Sequence, residues 1–143
     1  MQGKVLKLFL TLDNPQKDRI SKNKIEVDEH GILNDKFYAK DSQRAILISS
    51  IESYSIAKES DISIEEGALG ENILIDINPY GLLPGEKIQI GDIVLEITQN
   101  CTICKGLSQV DKKLPLLLKN DRGIFAKVVS TKGSIALEDA VVF

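Results

Sequence analysis

The sequence predicts a mainly β fold, closed into a barrel and carrying a few short helices. Nineteen Ile and eight Val stand against seven aromatic residues, and most fall in short alternating segments bounded by Gly, Pro, Asn or Asp, the punctuation of strands. The block Pro84 to Ile97 holds two such segments around Gly91-Asp92, as a tight hairpin requires. Gly133 to Val142 repeats that pattern more weakly around an acidic turn, and two hairpins of this kind point to a barrel. The chain has 143 residues, the length of one domain, so a single unit over 1–143 is expected.

Each element follows from its local pattern. Val5, Leu8 and Leu10 begin a strand, and the polar stretch Asn14 to Asn23 offers no apolar period, so it reads as an exposed loop. Ile25 and Val27 resume a short strand before a His30-Gly31 turn, an irregular charged segment from Asn34 to Gln43, and the apolar run Ala45 to Ile48. Ser49 and Glu52 have capping-box spacing, which predicts a helix over about 51–58 with Ile51, Tyr54 and Ala57 or Ile56 on its apolar face. Ile73, Ile75 and Ile77 predict a strand closed by the Asn78-Pro79-Tyr80-Gly81 turn. From Leu107 to Lys119, apolar residues at helical spacing predict one or two short helices, limited by Pro115.

Charge narrows the function classes. Eighteen basic residues against twenty-one acidic ones give a net charge of −3, with no basic stripe for nucleic acid or an anionic membrane surface. The apolar run from Val5 to Leu12 is broken by Lys7, far short of the ~20 residues that span a bilayer, and the start lacks a small-residue cleavage site. A cytoplasmic protein is expected.

Chemistry concentrates in a few positions. Cys101 and Cys104 form a CxxC, whose thiols can meet as a disulfide, share a metal, or pack as two small apolar residues at a strand end. His30 is the only histidine, which disfavours catalytic triads and leaves zinc binding to a site shared between two chains. Gly67-Ala68-Leu69-Gly70-Glu71-Asn72 lacks the third glycine of a dinucleotide fingerprint and the Lys-Ser/Thr of a P-loop, so it reads as a tight turn or as a backbone amide presented to a polar ligand.

Taken in order, Arg44 with Ile46-Leu47-Ile48-Ser49, Gly70-Glu71-Asn72-Ile73, the Gly91-Asp92 hairpin with Glu96-Ile97-Thr98-Gln99, Cys104, and Arg122-Gly123-Ile124-Phe125-Ala126 resemble the MOSC family. These are the C-terminal domain of molybdenum cofactor sulfurase and its stand-alone relatives. The resemblance runs from about Gly31 to the C-terminus and implies a MOSC-type β-barrel, similar to the pyruvate kinase barrel domain. It further implies binding of molybdenum cofactor (molybdopterin), or a sulfur carrier acting in molybdenum metabolism, with pyridoxal phosphate binding known at family level. Partners would be molybdenum-cofactor enzymes or cofactor-biosynthesis proteins, and a reductase-type activity is also within the family's range.

Counting from Gln99, Cys104 takes the place of the family's central thiol, as metal ligand or as nucleophile with Cys101 as a resolving thiol. Arg44, Lys36 and Arg122 are the candidate cations for a cofactor phosphate, with Gly70, Glu71, Asn72 and Gln99 completing a polar pocket. Four positions depart from the pattern. Phe37 stands where many relatives have His, Ile103 replaces a proline, Cys101 is additional, and Glu138 replaces a glycine. A partner-docking module with inert thiols, and a CxxC redox protein or zinc-bridged dimer, are the alternatives from other classes.

Overall fold

The computed structural model describes residues 1–101 and 111–143. Eleven strands form among them: β1 Gln2–Thr11, β2 Arg19–Lys22, β3 Lys24–Asp28, β4 Gly31–Ile32, β5 Ile46–Ser50, β6 Ile73–Ile75, β7 Lys87–Ile90, β8 Ile93–Asn100, β9 Ile124–Val128, β10 Gly133–Ala136 and β11 Ala140–Val142. A 3-10 turn covers Ser42–Arg44, α1 spans Ile51–Glu59, and Leu114–Leu117 forms a short helix, here α2.

Seven strands close a barrel in the order β11-β7-β8-β9-β5-β6-β1, with β1 returning to pair β11. Period-2 alternation aims Ile46, Ile48, Ile73, Ile75, Ile88, Ile90, Leu95, Ile97, Ile124 and Ala126 into one interior, where each is at most 1% exposed. Ten residues long, β1 serves three partners. It pairs β11 over Gln2–Lys4, β6 over Val5–Leu8 across a bulge between Val5 and Lys7, and β2 over Leu8–Thr11. β5 and β6 run parallel, which needs a crossover, and α1 supplies it. Leu74, on the outer face of β6, packs with Tyr54, Ala57, Leu69, Leu114 and Leu118 into a second core between barrel and helices.

The mainly β barrel and the Gly91-Asp92 hairpin form as the sequence predicts. Gly91 has φ +58°, and a Cβ there would lie 2.7 Å from Asp139 Oδ2, so the turn needs its glycine.

Three local expectations are corrected. The C-terminal segment is not a hairpin, because β10 pairs β3 in a small sheet with β4 while β11 pairs β7 and β1 in the barrel. Ile135 finds its buried partner in Ile25 and Val141 in Ile90, so the two strands are drawn apart. The corner is held by Leu137 N–H on the Asn23 carbonyl, Glu138 N–H on the Val5 carbonyl, and Ala136 N–H on Asp139 Oδ2. Glu138 sits there at φ +71°, the left-handed conformation that suits the glycine it replaces.

The predicted 14–23 loop contains β2, since β11 leaves the far half of that β1 edge open and backbone pairing does not require an apolar pattern. Ser50, not Ser49, caps α1, accepting from Glu52 N–H at 3.2 Å, while Ser49 turns inward. Of the predicted 107–119 helical segment, residues 107–110 lie outside the described residues, and α2 begins with Pro115 in its first turn, where no N–H is needed.

Candidate functional site

On the outer face of the barrel, β5 and β9 place Leu47 and Phe125 directly opposite one another. The end of β1, the 37–44 segment and the Gly70–Asn72 turn rise around this pair and enclose a cleft of about 550 Å³ lined by Thr11, Phe37, Asp41, Arg44, Gly70 and Asn72 besides Leu47 and Phe125. That volume lies in the range of small-molecule sites. Apolar surface forms the floor, and one cation and one carboxylate stand at the rim. A separate groove of about 680 Å³ beside α1 involves none of the predicted site residues.

Asn72 locks the wall of this cleft. Its Oδ1 accepts from Leu47 N–H at 3.0 Å, and its Nδ2 donates to the Phe9 carbonyl at 3.2 Å and to Asp35 Oδ1 at 3.3 Å. Both donor and acceptor ends are therefore used, and a carboxylate cannot replace the amide. Asp35, 5% exposed, also accepts from Thr11 N–H at 2.8 Å and Phe37 N–H at 3.1 Å, so one buried carboxylate fixes both sides of the rim. Gly70, at φ +86°, makes the turn that brings this wall over Leu47.

Glu71 points the other way. Fully buried, its Oε2 accepts from Ser49 Oγ at 2.6 Å and from Tyr54 OH, while its Oε1 lies 4.0 Å from Arg19 without a hydrogen bond. Arg19 donates to Thr11 Oγ1 and to the Gly67 carbonyl, each at 3.0 Å, and to the Glu71 carbonyl. Burial lowers the guanidinium pKa, with Glu71 and then Asp35 opposing. Burial, then the Glu71 charge and its hydrogen bond, hold the Tyr54 phenol far above its usual range. This network ties β1, β2, β5 and α1 beneath the cleft.

Cys101 leaves the end of β8 with its N–H on the Gly123 carbonyl at 3.0 Å. It is 6% exposed, and Arg122, 7% exposed, donates to its Sγ and to the Leu69 carbonyl at 3.0 Å. Leu69 precedes Gly70 of the cleft wall, and a Cβ on Gly123 would lie 2.8 Å from Leu47 of its floor. The thiol and guanidinium thus back onto the cleft from behind.

Of the predicted residues, Arg44, Gly70 and Asn72 line one cleft. Gln99 stands beside it, paired with Phe125 across the β8–β9 ladder. Lys36 is half-buried, its amine over the Phe37 ring at 5.3 Å and its pKa lowered by desolvation and then by Lys17. Glu71 and Arg122 lie behind the wall. Cys104 lies outside the described residues. Among those described, no three His, Cys, Asp or Glu side chains gather as a metal site.

Sequence reasoning missed Arg19, Asp35 and Tyr54. Arg19 and Asp35 sat in stretches whose polarity reads as solvent-exposed. Asp35 had one signal, an Asx turn onto Phe37 two residues on.

Comparison with known proteins supplies the family of this barrel with its polar-rimmed cleft. The MOSC domain profile matches residues 28–142, and the chain belongs to the MOSC domain family, generally associated with molybdenum cofactor binding. The fold is similar to that of the YuaD protein from Bacillus subtilis, at TM-score 0.82 and 21% identity over 99% of this chain and 94% of that one. It also resembles YiiM from Geobacillus stearothermophilus (TM-score 0.73, 14% identity, 98% and 74% covered) and YiiM from Escherichia coli (0.72, 17%, 99% and 68%). No curated protein gives a significant match. Among the described residues no helix is long and apolar enough to cross a membrane.

Proposed function

We propose that the cleft over β5 and β9 binds molybdenum cofactor, and that the protein hands this cofactor or its sulfur to molybdenum enzymes or their assembly proteins in the cytoplasm. The observation that carries the reading is that Gly70 and Asn72 of the family-like glycine motif and Arg44 line one cleft. The residues fit such a group. Arg44 offers a bidentate cation for a phosphate, Phe37, Leu47 and Phe125 offer apolar surface for a fused ring, and a Cβ at Gly70 would meet Leu47 of the floor at 4.0 Å, so the glycine keeps the wall low over that surface.

Cys104, three positions beyond Cys101, supplies the soft thiolate, as metal ligand or as sulfur acceptor. The bound group would bring a redox-active metal centre, while this chain orients it and excludes water.

The test is titration of the purified protein with molybdenum cofactor, following pterin that co-elutes on gel filtration. Wild type and Cys101→Ser are expected to retain pterin and Cys104→Ser to lose it. No retention by wild type would overturn the reading.

A further inference from the structure

The negative charge of this chain is concentrated in one short segment. Residues 58–66, Lys-Glu-Ser-Asp-Ile-Ser-Ile-Glu-Glu, carry one lysine and four acids, a balance of −3, which is the net charge of the whole protein. Taking these away from eighteen basic and twenty-one acidic residues leaves seventeen of each sign for the rest of the molecule. Glu59, Asp61, Glu65 and Glu66 are all exposed, and among the described residues no ion pair within 4.0 Å includes any of them. The segment borders the groove of about 680 Å³ beside α1.

One wall of that groove is a stripe of α1, Ile51, Tyr54, Ser55 and Lys58, at the i, i+3, i+4, i+7 spacing of a single helix face. The other wall is the 61–66 segment, folded back against the end of the helix. Asp61, at φ +58°, makes this reversal, with its N–H on the Lys58 carbonyl at 3.0 Å and the Ile62 N–H on the Ala57 carbonyl at 2.9 Å. Buried Tyr54 and Ile62 with half-buried Ile51 and Ile64 form an apolar floor, and exposed Asp61 and Glu66 stand on the rim. About two turns of α1, some 10 Å of helix face, thus lie open beside a pinned acidic lip, a surface onto which a second helix can pack.

We propose that this groove docks a basic amphipathic helix of a partner protein, its apolar side chains on the Ile51, Ile62 and Ile64 floor and its lysines or arginines against Asp61 and Glu66. Charge complementarity selects that occupant, and the unpaired carboxylates steer it to the groove. A second copy of this chain does not complement the surface, because two such grooves would set −3 against −3 and the remaining charges balance one for one. The chain's own 102–110 segment, with one lysine and no arginine, is not a basic helix either. The groove shares no lining residue with the cleft, so the assignment holds whatever the cleft binds.

The test is fluorescence anisotropy of a fluorescein-labelled peptide of leucine and lysine at helical spacing, about 14 residues or roughly four turns long, titrated with the whole protein. Wild type is expected to bind it saturably, one to one. Asp61→Asn combined with Glu66→Gln removes both rim charges and should weaken binding roughly tenfold, whereas the equal loss of charge in Glu26→Gln with Glu29→Gln, away from the groove, should leave it within about twofold. Ser55→Trp keeps the charge, fills the groove from the α1 stripe and should weaken binding at least roughly tenfold, with circular dichroism confirming that each variant is folded. Spermine, a polycation with no apolar face, should not displace the peptide at equal concentration. The proposal is overturned by absence of saturable binding to wild type, by equal weakening in the two neutralised pairs, by a folded Ser55→Trp protein that binds as wild type does, or by displacement with spermine.

Discussion

Replacing Asn72 by Leu tests the wall of the cleft, because the two side chains are similar in size and differ in hydrogen bonding. The change leaves the buried Leu47 N–H without its side-chain acceptor at roughly 1–3 kcal/mol, and removes a donor from the Asp35 carboxylate and another from the Phe9 carbonyl. Together these amount to about 3–4 kcal/mol. For a protein of this size that corresponds to a fall in Tm of roughly 10 °C, with an unchanged denaturant slope. Asn72→Asp is the sharper companion. It sets two carboxylates about 3.3 Å apart, so stability lost at pH 7 should return in part as acid protonates one of them. Urea unfolding at pH 7 and pH 5 measures both. A loss below about 1 kcal/mol for Asn72→Leu, or an Asn72→Asp protein as stable as wild type at pH 7, refutes the assignment of this amide as the lock.

The tyrosines give a pH prediction. Burial lifts Tyr80 to about 12 and Tyr54 higher still, and Tyr38 is raised by its hydrogen bond to Asp28. A raised folded pKa contributes stability that is complete below the unfolded value near 10 and is lost as pH rises toward 12. Tyrosinate absorbance should therefore stay low at pH 10 and rise with unfolding; an ordinary titration in protein still folded by circular dichroism contradicts this. Arg19→Leu strands the buried Glu71 charge and should cost about 3–5 kcal/mol, of which the Glu71→Leu partner variant restores part in a double-mutant cycle; additive losses would refute the pairing. Gly91→Ala forces a Cβ toward Asp139 at a left-handed φ and should cost about 1–2 kcal/mol by thermal unfolding, whereas Gly81→Ala, with open space around it, should be near neutral.

The barrel was legible because its signal is local. Alternating Ile and Val report which face of each strand is buried, and the glycine of the Gly91-Asp92 turn reports a conformation other residues avoid. Pairing across distance was less legible. The last two strands look like a hairpin in sequence, but nothing nearby says that Ile135 will meet Ile25 while Val141 meets Ile90.

The site divides the same way. Gly70, Asn72 and Arg44 could be named because a family resemblance orders them along the chain, and the structure gathers them at one cleft. Arg19 and Asp35 escaped because a charged residue in a polar stretch looks solvated until the fold shows which buried N–H and carbonyl groups it serves. Glu71 and Arg122 carried the right motif with a different destination, since the residue after Gly70 turns its side chain inward under the wall.

The central claim, that the cleft receives an anionic pterin cofactor, is tested most directly by charge at its rim. Arg44 and Asp41 both line the opening, so Arg44→Glu is expected to weaken molybdenum cofactor binding at least roughly tenfold, about 1.4 kcal/mol, while Asp41→Asn strengthens it. Opposite responses from these two substitutions, read by pterin fluorescence at fixed ionic strength, are the predicted result. Unchanged affinity in both variants, with wild type binding, would place the cofactor elsewhere on the protein and contradict the account.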